Sequence, residues 1–247
     1  MNQKSMNELD EEKKLVAEIA ARWVPHGIKL GIGSGSTMAH FIRALGQRMR
    51  NEGLKLTGLP TSEKSAELAR KEGIPLLEPG RGLRLDLAVD GADELDSNLV
   101  LIKGGGGALL REKVVASISD YFLIIADSSK FVSKLGTFPL PLEVVPFSAP
   151  LVMDKIEALG GRPALRKNAA QELILTDQNN VLIDCHFARI DDPKSLARKL
   201  EEIPGIAEHG LFLNYAKVAL VADSAGAKVL RKDAETIRAD QFTTLPQ

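Results

Sequence analysis

Short apolar runs recur along this chain, separated by stretches with a helical period, and that alternation restricts the possible folds more than any other feature. Ile28–Gly33, Leu54–Leu59, Ile74–Leu77, Leu85–Val89, Leu99–Ile102 and Tyr121–Ala126 read as buried strands. Between them, Glu8–Trp23 places Leu9, Leu15, Val16, Ile19, Ala20 and Trp23 on one helical face, and Pro25 with Gly27 ends it. Further helical patterns carry Ala39, Phe41, Ile42 and Leu45, then Ala66, Leu68 and Ala69 after a cap at Thr61 or Ser62, then Ala108–Ser119. Strands with few polar positions, alternating with helices, predict a sheet covered on both faces. The expected class is α/β with a doubly wound, mostly parallel sheet.

The pattern changes at Gly136. Pro139, Pro141, Pro146 and Pro150 punctuate the next stretch, which this reading excludes from being a central strand or a helix. Beyond it Leu151–Leu159 and Pro193–Ile203 read as helices, and Glu172–Thr176 with Val181–Phe187 flank a DQNN turn as a hairpin. The expected division is a catalytic α/β domain at 1–136 and 211–247 and a small α+β domain at 137–210, with Ala216–Ala222 returning to the main sheet.

Composition narrows the function. A net charge of −1 on 247 residues gives no global attraction to nucleic acid or to an anionic membrane, so any anion site is local. Cys185 is the single cysteine; it reads as a packed thiol and fits a reducing, cytoplasmic setting. The polar N-terminus lacks a signal-peptide core, and no apolar run approaches a membrane span. The histidines, at 26, 40, 186 and 209, lack zinc-ligand spacing, so no metal is expected.

The chemistry concentrates in Leu85–Lys113, where two strand patterns each end in charge, Asp90 and Lys103. Ligands of open α/β sheets sit beyond the carboxyl ends of the strands. Lys103 is followed by Gly104, Gly105, Gly106 and Gly107, a costly run that makes sense where backbone amides must face an anion. Helical side chains lean toward the N-terminus, so Glu112 points back at this loop; a solvated triplet with Arg111 and Lys113 is the plainer alternative. In DGAD, Asp90 and Asp93 surround Gly91 and Ala92, which permit close approach of a ligand; a solvated turn would look the same. In GIGSGSTM, Ser34, Gly35, Ser36 and Thr37 open a helix whose amides and hydroxyls suit a phosphate. The dinucleotide fingerprint fails there, because Ser36 stands at the third small position. Lys130, in ADSSK, ends another strand on the same side. Together these groups suit proton transfer between adjacent carbons of a phosphorylated sugar, without a cofactor.

GSGST at 33–37, DGADE at 90–94, KGGGGALLREK at 103–113, ADSSK at 126–130 and LGTFPLPLEV at 135–144 resemble ribose-5-phosphate isomerase, type A. The likeness continues through LGGRP at 159–163 and GLF at 210–212. It implies a two-domain, Rossmann-like α/β subunit, assembled as a homodimer or homotetramer, that interconverts ribose 5-phosphate and ribulose 5-phosphate. It further implies Glu112 as general base, Asp90 and Asp93 in sugar binding and ring opening, Lys103 and the amides of Gly104–Gly106 facing the reacting oxygens, and Ser34–Thr37 with Lys130 as substrate and phosphate contacts. Serine at 34 is a departure, since threonine is usual there, but the hydroxyl is kept. The rival readings are an aminosugar-phosphate isomerase, a CoA transferase with a covalent glutamate, and a sugar-phosphate sensor. About 27 residues before the first strand are too few for the sensor's DNA-binding segment.

Overall fold

The computed structural model describes residues 4–232 and 234–242. The chain opens with α1 (Met6–Trp23), β1 (Ile28–Ile32), α2 (Ser36–Glu52), β2 (Leu56–Pro60) and α3 (Glu63–Lys71). Next come β3 (Leu85–Asp90), β4 (Glu94–Leu95), β5 (Leu101–Ile102), α4 (Leu109–Ser117) and β6 (Ser119–Asp127). Then follow β7 (Leu140–Val144), α5 (Ala149–Ala158), β8 (Arg162–Leu165), β9 (Val181–His186) and α6 (Pro193–Glu201). The last are β10 (Ile206–His209), β11 (Leu211–Phe212), β12 (Val218–Asp223), β13 (Gly226–Arg231) and β14 (Ile237–Arg238).

The main sheet has the order β14-β13-β12-β6-β3-β1-β2, and its strands from β12 to β2 are parallel. Alternation along each strand sorts side chains to two cores. Leu87 and Val89 of β3 face α1 and α2 with Phe41 and Leu45, while Ala88 faces α4 with Val115 and Ala116. The expected doubly wound α/β sheet is therefore present, closed by an antiparallel edge of β13 and β14 that the sequence reading did not include. β12 returns to the main sheet beside β6, as the apolar run at 216–222 implied. Ser62 is the cap of α3, its side chain accepting from the Ser65 N–H.

Several local expectations fail for identifiable reasons. The Leu99–Ile102 run is not a strand of the parallel sheet. Leu99 sits at φ 57°, and only Leu101–Ile102 pairs, within a separate antiparallel layer β11-β5-β4. Ile74–Leu77 makes one bridge, Leu76 to Gly58, and extends no ladder. Glu172–Thr176 does turn back on β9 about the DQNN turn, but through the single bridge Leu175 to Val181, while the ladders of β9 are made with β7 and β8.

The proline-rich stretch holds the largest surprise. β7 contains Pro141 and is an interior strand of the antiparallel sheet β10-β7-β9-β8, and Pro150 lies in the first turn of α5. Proline lacks the N–H that an interior strand donates. Here the Gly210 N–H donates to the Pro141 carbonyl at 2.8 Å, while the Gly210 carbonyl accepts from the Lys103 N–H at 2.9 Å. The carbonyl that Pro141 cannot use is thus taken by another chain segment. Helices α5 and α6 pack on this sheet, with Val152, Ile156, Ala197 and Leu200 in its core.

Glu94 is buried, and its carboxylate accepts from the N–H groups of Gly136 at 2.7 Å and Phe138 at 2.6 Å. That contact ties β4 to the approach of β7. Glu94→Gln turns an amide NH2 toward one of those donors and is expected to cost about 1–3 kcal/mol, read as a shift of the urea midpoint at unchanged slope.

Candidate active site

Three buried charges meet where β3, β5 and α4 converge. Asp90 ends β3, Lys103 follows β5, and Glu112 lies in the first turn of α4. The Lys103 ammonium is 3.0 Å from Asp90 Oδ2 and 3.5 Å from Glu112 Oε2, with the three side chains only 2–4% exposed. It also donates to the Gly91 carbonyl at 2.7 Å and lies 5.6 Å from the centre of the Phe212 ring. Asp90 Oδ1 accepts from the N–H groups of Gly91 at 2.7 Å and Ser34 at 3.1 Å. Gly33 makes room for this carboxylate, since a Cβ there would fall 2.0 Å from Asp90 Oδ1.

One ammonium faces two desolvated carboxylates, and their protonation separates accordingly. Burial pushes Glu112 up to about 8; Lys103 opposes this, and the charges of Asp90 and Asp93 push it further up. Burial raises Asp90 as well, opposed by Lys103 and by its two backbone donors. Burial alone would lower Lys103, but Asp90 and Glu112 outweigh it and hold the ammonium above its ordinary value. The shared proton belongs on Glu112, whose contact with Lys103 is the longer and whose Oε2 accepts no hydrogen bond.

A cleft of about 130 Å3 opens over this triad. Ser34, Gly35, Ser36, Thr37, Gly91, Ala92, Asp93, Lys103, Gly104, Gly106, Glu112 and Lys130 all line it, so most of the expected site converges. Asp90 lies behind Lys103 rather than on the wall. Gly105 also stays off the wall, because its N–H donates to Asp93 Oδ2 at 2.6 Å. Helix α2 starts at Gly35 with no side-chain cap, leaving its first-turn amides toward the cleft. The Ser34 hydroxyl turns away from them into a cluster with Thr61 at 2.8 Å and Ser62 at 2.7 Å. The backbone N–H of Ser34, by contrast, donates to Asp90 Oδ1. Lys113 is buried, against the solvated-triplet alternative, and donates to Glu208 Oε1 and the His209 carbonyl, each at 2.6 Å.

Lys13 also lines the cleft and was missed in the sequence. It lies among charged residues on the polar side of α1, where nothing distinguishes it. Its neighbour Glu12 is a buried acid, a fact that only the fold reveals. Glu12 accepts from the Ser128 N–H at 3.0 Å and hydroxyl at 2.8 Å, clamping α1 to the short turn that carries Lys130. Two lysines and an uncapped helix start thus line the same cleft as the Lys103–Glu112 pair. Among the described residues, no group of three or more His, Cys, Asp or Glu is placed to hold a metal ion. Cys185 is buried, and burial pushes its thiol up.

Comparison with known proteins shows the family to which this fold and sequence belong. The model of the family Ribose 5-phosphate isomerase A (phosphoriboisomerase A) matches residues 57–226. A ribose-5-phosphate isomerase A from Parvibaculum lavamentivorans is 46% identical over 227 residues, covering 90% of this chain and 98% of that protein. The structure of ribose 5-phosphate isomerase A from Methanocaldococcus jannaschii superposes with a TM-score of 0.86 at 39% identity, over 90% of this chain and 99% of that one. A D-ribose-5-phosphate isomerase in complex with phospho-erythronic acid superposes with a TM-score of 0.87 at 34% identity, over 94% of this chain and all of the other. The chain belongs to the ribose-5-phosphate isomerase A family.

Proposed function

We propose that this protein interconverts D-ribose 5-phosphate and D-ribulose 5-phosphate through an enediolate, with Glu112 as the general base. The observation that carries this reading is that the buried Glu112–Lys103 contact shares one cleft with Lys13, Lys130 and the uncapped start of α2. The phosphate goes to those two lysines and the helix start. The open-chain sugar then reaches Glu112, which takes the C2 proton as the C1–C2 double bond forms and charge moves to O1. Lys103 and the loop amide of Gly106 stabilise that oxygen. A proton passes from O2 to O1, Glu112 returns its proton to C1, and the C2 carbonyl forms. Asp93 holds a sugar hydroxyl and assists ring opening, while Asp90 keeps Lys103 charged and in place. No cofactor enters this sequence. A relative bound to phospho-erythronic acid supports the choice of ligand, because that molecule joins a carboxylate to a sugar phosphate.

The same reading takes the chain as a cytoplasmic homodimer or homotetramer in the pentose phosphate pathway. It takes the unit at 137–210 as the part engaged in oligomer contacts. Phe147 and Leu151, 89% and 63% exposed on that unit, support the assembly. Among the described residues no helix is long and apolar enough to cross a membrane. Light scattering on the purified protein is expected to give two or four chain masses.

The first test is ketose formation from ribose 5-phosphate by EDTA-treated protein, where turnover is expected and its absence sinks the proposal. Glu112→Gln is expected to lower kcat by roughly 10²–10⁴ with substrate binding kept, and near-normal turnover would remove Glu112 from its role. Lys13→Ala and Lys130→Ala are each expected to raise KM more than they lower kcat.

Glu112 also links activity and stability to pH. The free enzyme's kcat/KM is expected to rise through the value of about 8 given by its burial. Its folded value lies above the ordinary carboxyl value of 4.5, so between the two the folded state keeps a proton that the unfolded state releases. This group's contribution to stability therefore falls as pH rises through that window. Gln at 112 has no proton to lose, so the melting temperature of Glu112→Gln should gain on the wild type between pH 5 and pH 8, and a constant difference would contradict the assignment.

A further inference from the structure

Arg166 lies just beyond β8, well outside the cleft lining, yet it reaches the glycine loop. Its Nη1 donates to the carbonyls of Gly104 and Gly105, both at 3.0 Å. Its Nε donates to Asp184 Oδ2 at 2.8 Å, and Nη2 completes a two-point clamp on the same carboxylate. The guanidinium is 14% exposed and its partner 22% exposed, so the contact is shielded from solvent screening. Asp184 is on β9, paired directly with β8 and with β7, which fixes the fork to a sheet rather than to a mobile loop.

The loop has little else to set its peptide planes. Gly104 adopts φ 101°, its carbonyl also accepts from the Gly107 N–H at 2.9 Å, and no side chain stiffens residues 104–107. A trans peptide directs its carbonyl and the following N–H to opposite sides. Pulling the Gly104 carbonyl toward Arg166 therefore turns the Gly105 N–H away from it, where it meets Asp93 at 2.6 Å. Pulling the Gly105 carbonyl the same way turns the Gly106 N–H away as well, and Gly106 lines the cleft with Lys103 and Glu112.

We propose that Arg166, clamped by Asp184, is a positioning residue that orients two successive loop peptides, directing the Gly106 N–H at the reacting oxygens and the Gly105 N–H at Asp93. It rests on the isomerase reading above. The preorganised amide is worth most when charge builds on the substrate oxygen, so Arg166 acts on the chemical step more than on ground-state binding. Lysine is no substitute, because one ammonium cannot hold both carbonyls and grip Asp184 at two points.

The test compares wild type, Arg166→Gln, Arg166→Lys and Asp184→Asn for kcat, KM, melting temperature, and affinity for phospho-erythronic acid and for inorganic phosphate. Arg166→Gln is expected to lower kcat by roughly 10- to 100-fold, less than outright loss of an oxyanion donor, with KM within about threefold of wild type. Affinity for phospho-erythronic acid should fall while that for inorganic phosphate holds, because only the former places oxygens at the loop. Arg166→Lys should stay impaired, and Asp184→Asn should show the same pattern more weakly, giving a reading even if the Arg166 variants fold poorly. A folded Arg166→Gln with wild-type kcat overturns the proposal, as does a parallel fall of kcat, phosphate affinity and melting temperature in Asp184→Asn. An inactive wild type overturns the isomerase reading and this one with it, whereas an active wild type beside unimpaired variants overturns this one alone.

Discussion

A lysine ammonium enclosed by two carboxylates is the constraint around which the site is built. Taking such charges out of water is costly, and removing one partner of a buried pair typically destabilises by about 3–5 kcal/mol. The fold must therefore bring all three groups together or lose by it. β3 supplies Asp90, β5 supplies Lys103 and α4 supplies Glu112, from one parallel strand, one short antiparallel strand and one helix start. The close approaches follow from that demand. Gly33 yields space to the Asp90 carboxylate and Gly105 to the Asp93 carboxylate. The Phe212 ring lies 5.6 Å from the Lys103 ammonium and 4.9 Å from that of Lys113.

The same cleft brings together two unlike sets of groups. Where α2 begins, unpaired helix amides and two lysines make a standing attraction for an anion. Where α4 begins, two acids compete for one cation, and burial with the neighbouring carboxylates pushes Glu112 up to about 8. The two sets are carried by different elements of the fold, and each lies at the carboxyl side of a strand or at the start of a helix.

What the sequence made legible was what repeats or what ends a pattern. β1, β3, β6 and β12 were readable because apolar runs buried on both sides carry no polar alternation, and Asp90, Lys103 and Lys130 because a charge closing such a run is conspicuous. Glycines adjoining those charges marked the loop for the same reason. Contacts made at long range left no such trace. Pro141 is acceptable inside a sheet only because Lys103 uses the carbonyl of Gly210, a pairing between residues far apart in the chain. Leu99 looks like a strand residue until its φ of 57° is known. Lys13 and Arg166 are ordinary surface types by composition, and their placement depends on Glu12 and Asp184, whose partners no local period reveals.

The junction at Gly210 has a mechanical side. This one residue hydrogen-bonds through its N–H to β7 and through its carbonyl to the backbone of Lys103. The four-stranded sheet and the central cation of the cleft are thus coupled across a single residue, with no flexible linker to absorb displacement. Helix α2, by contrast, is seated on the parallel sheet. A displacement of the smaller sheet would therefore reach Lys103 directly, and through its ion pair Asp90 at the end of β3 in the parallel sheet.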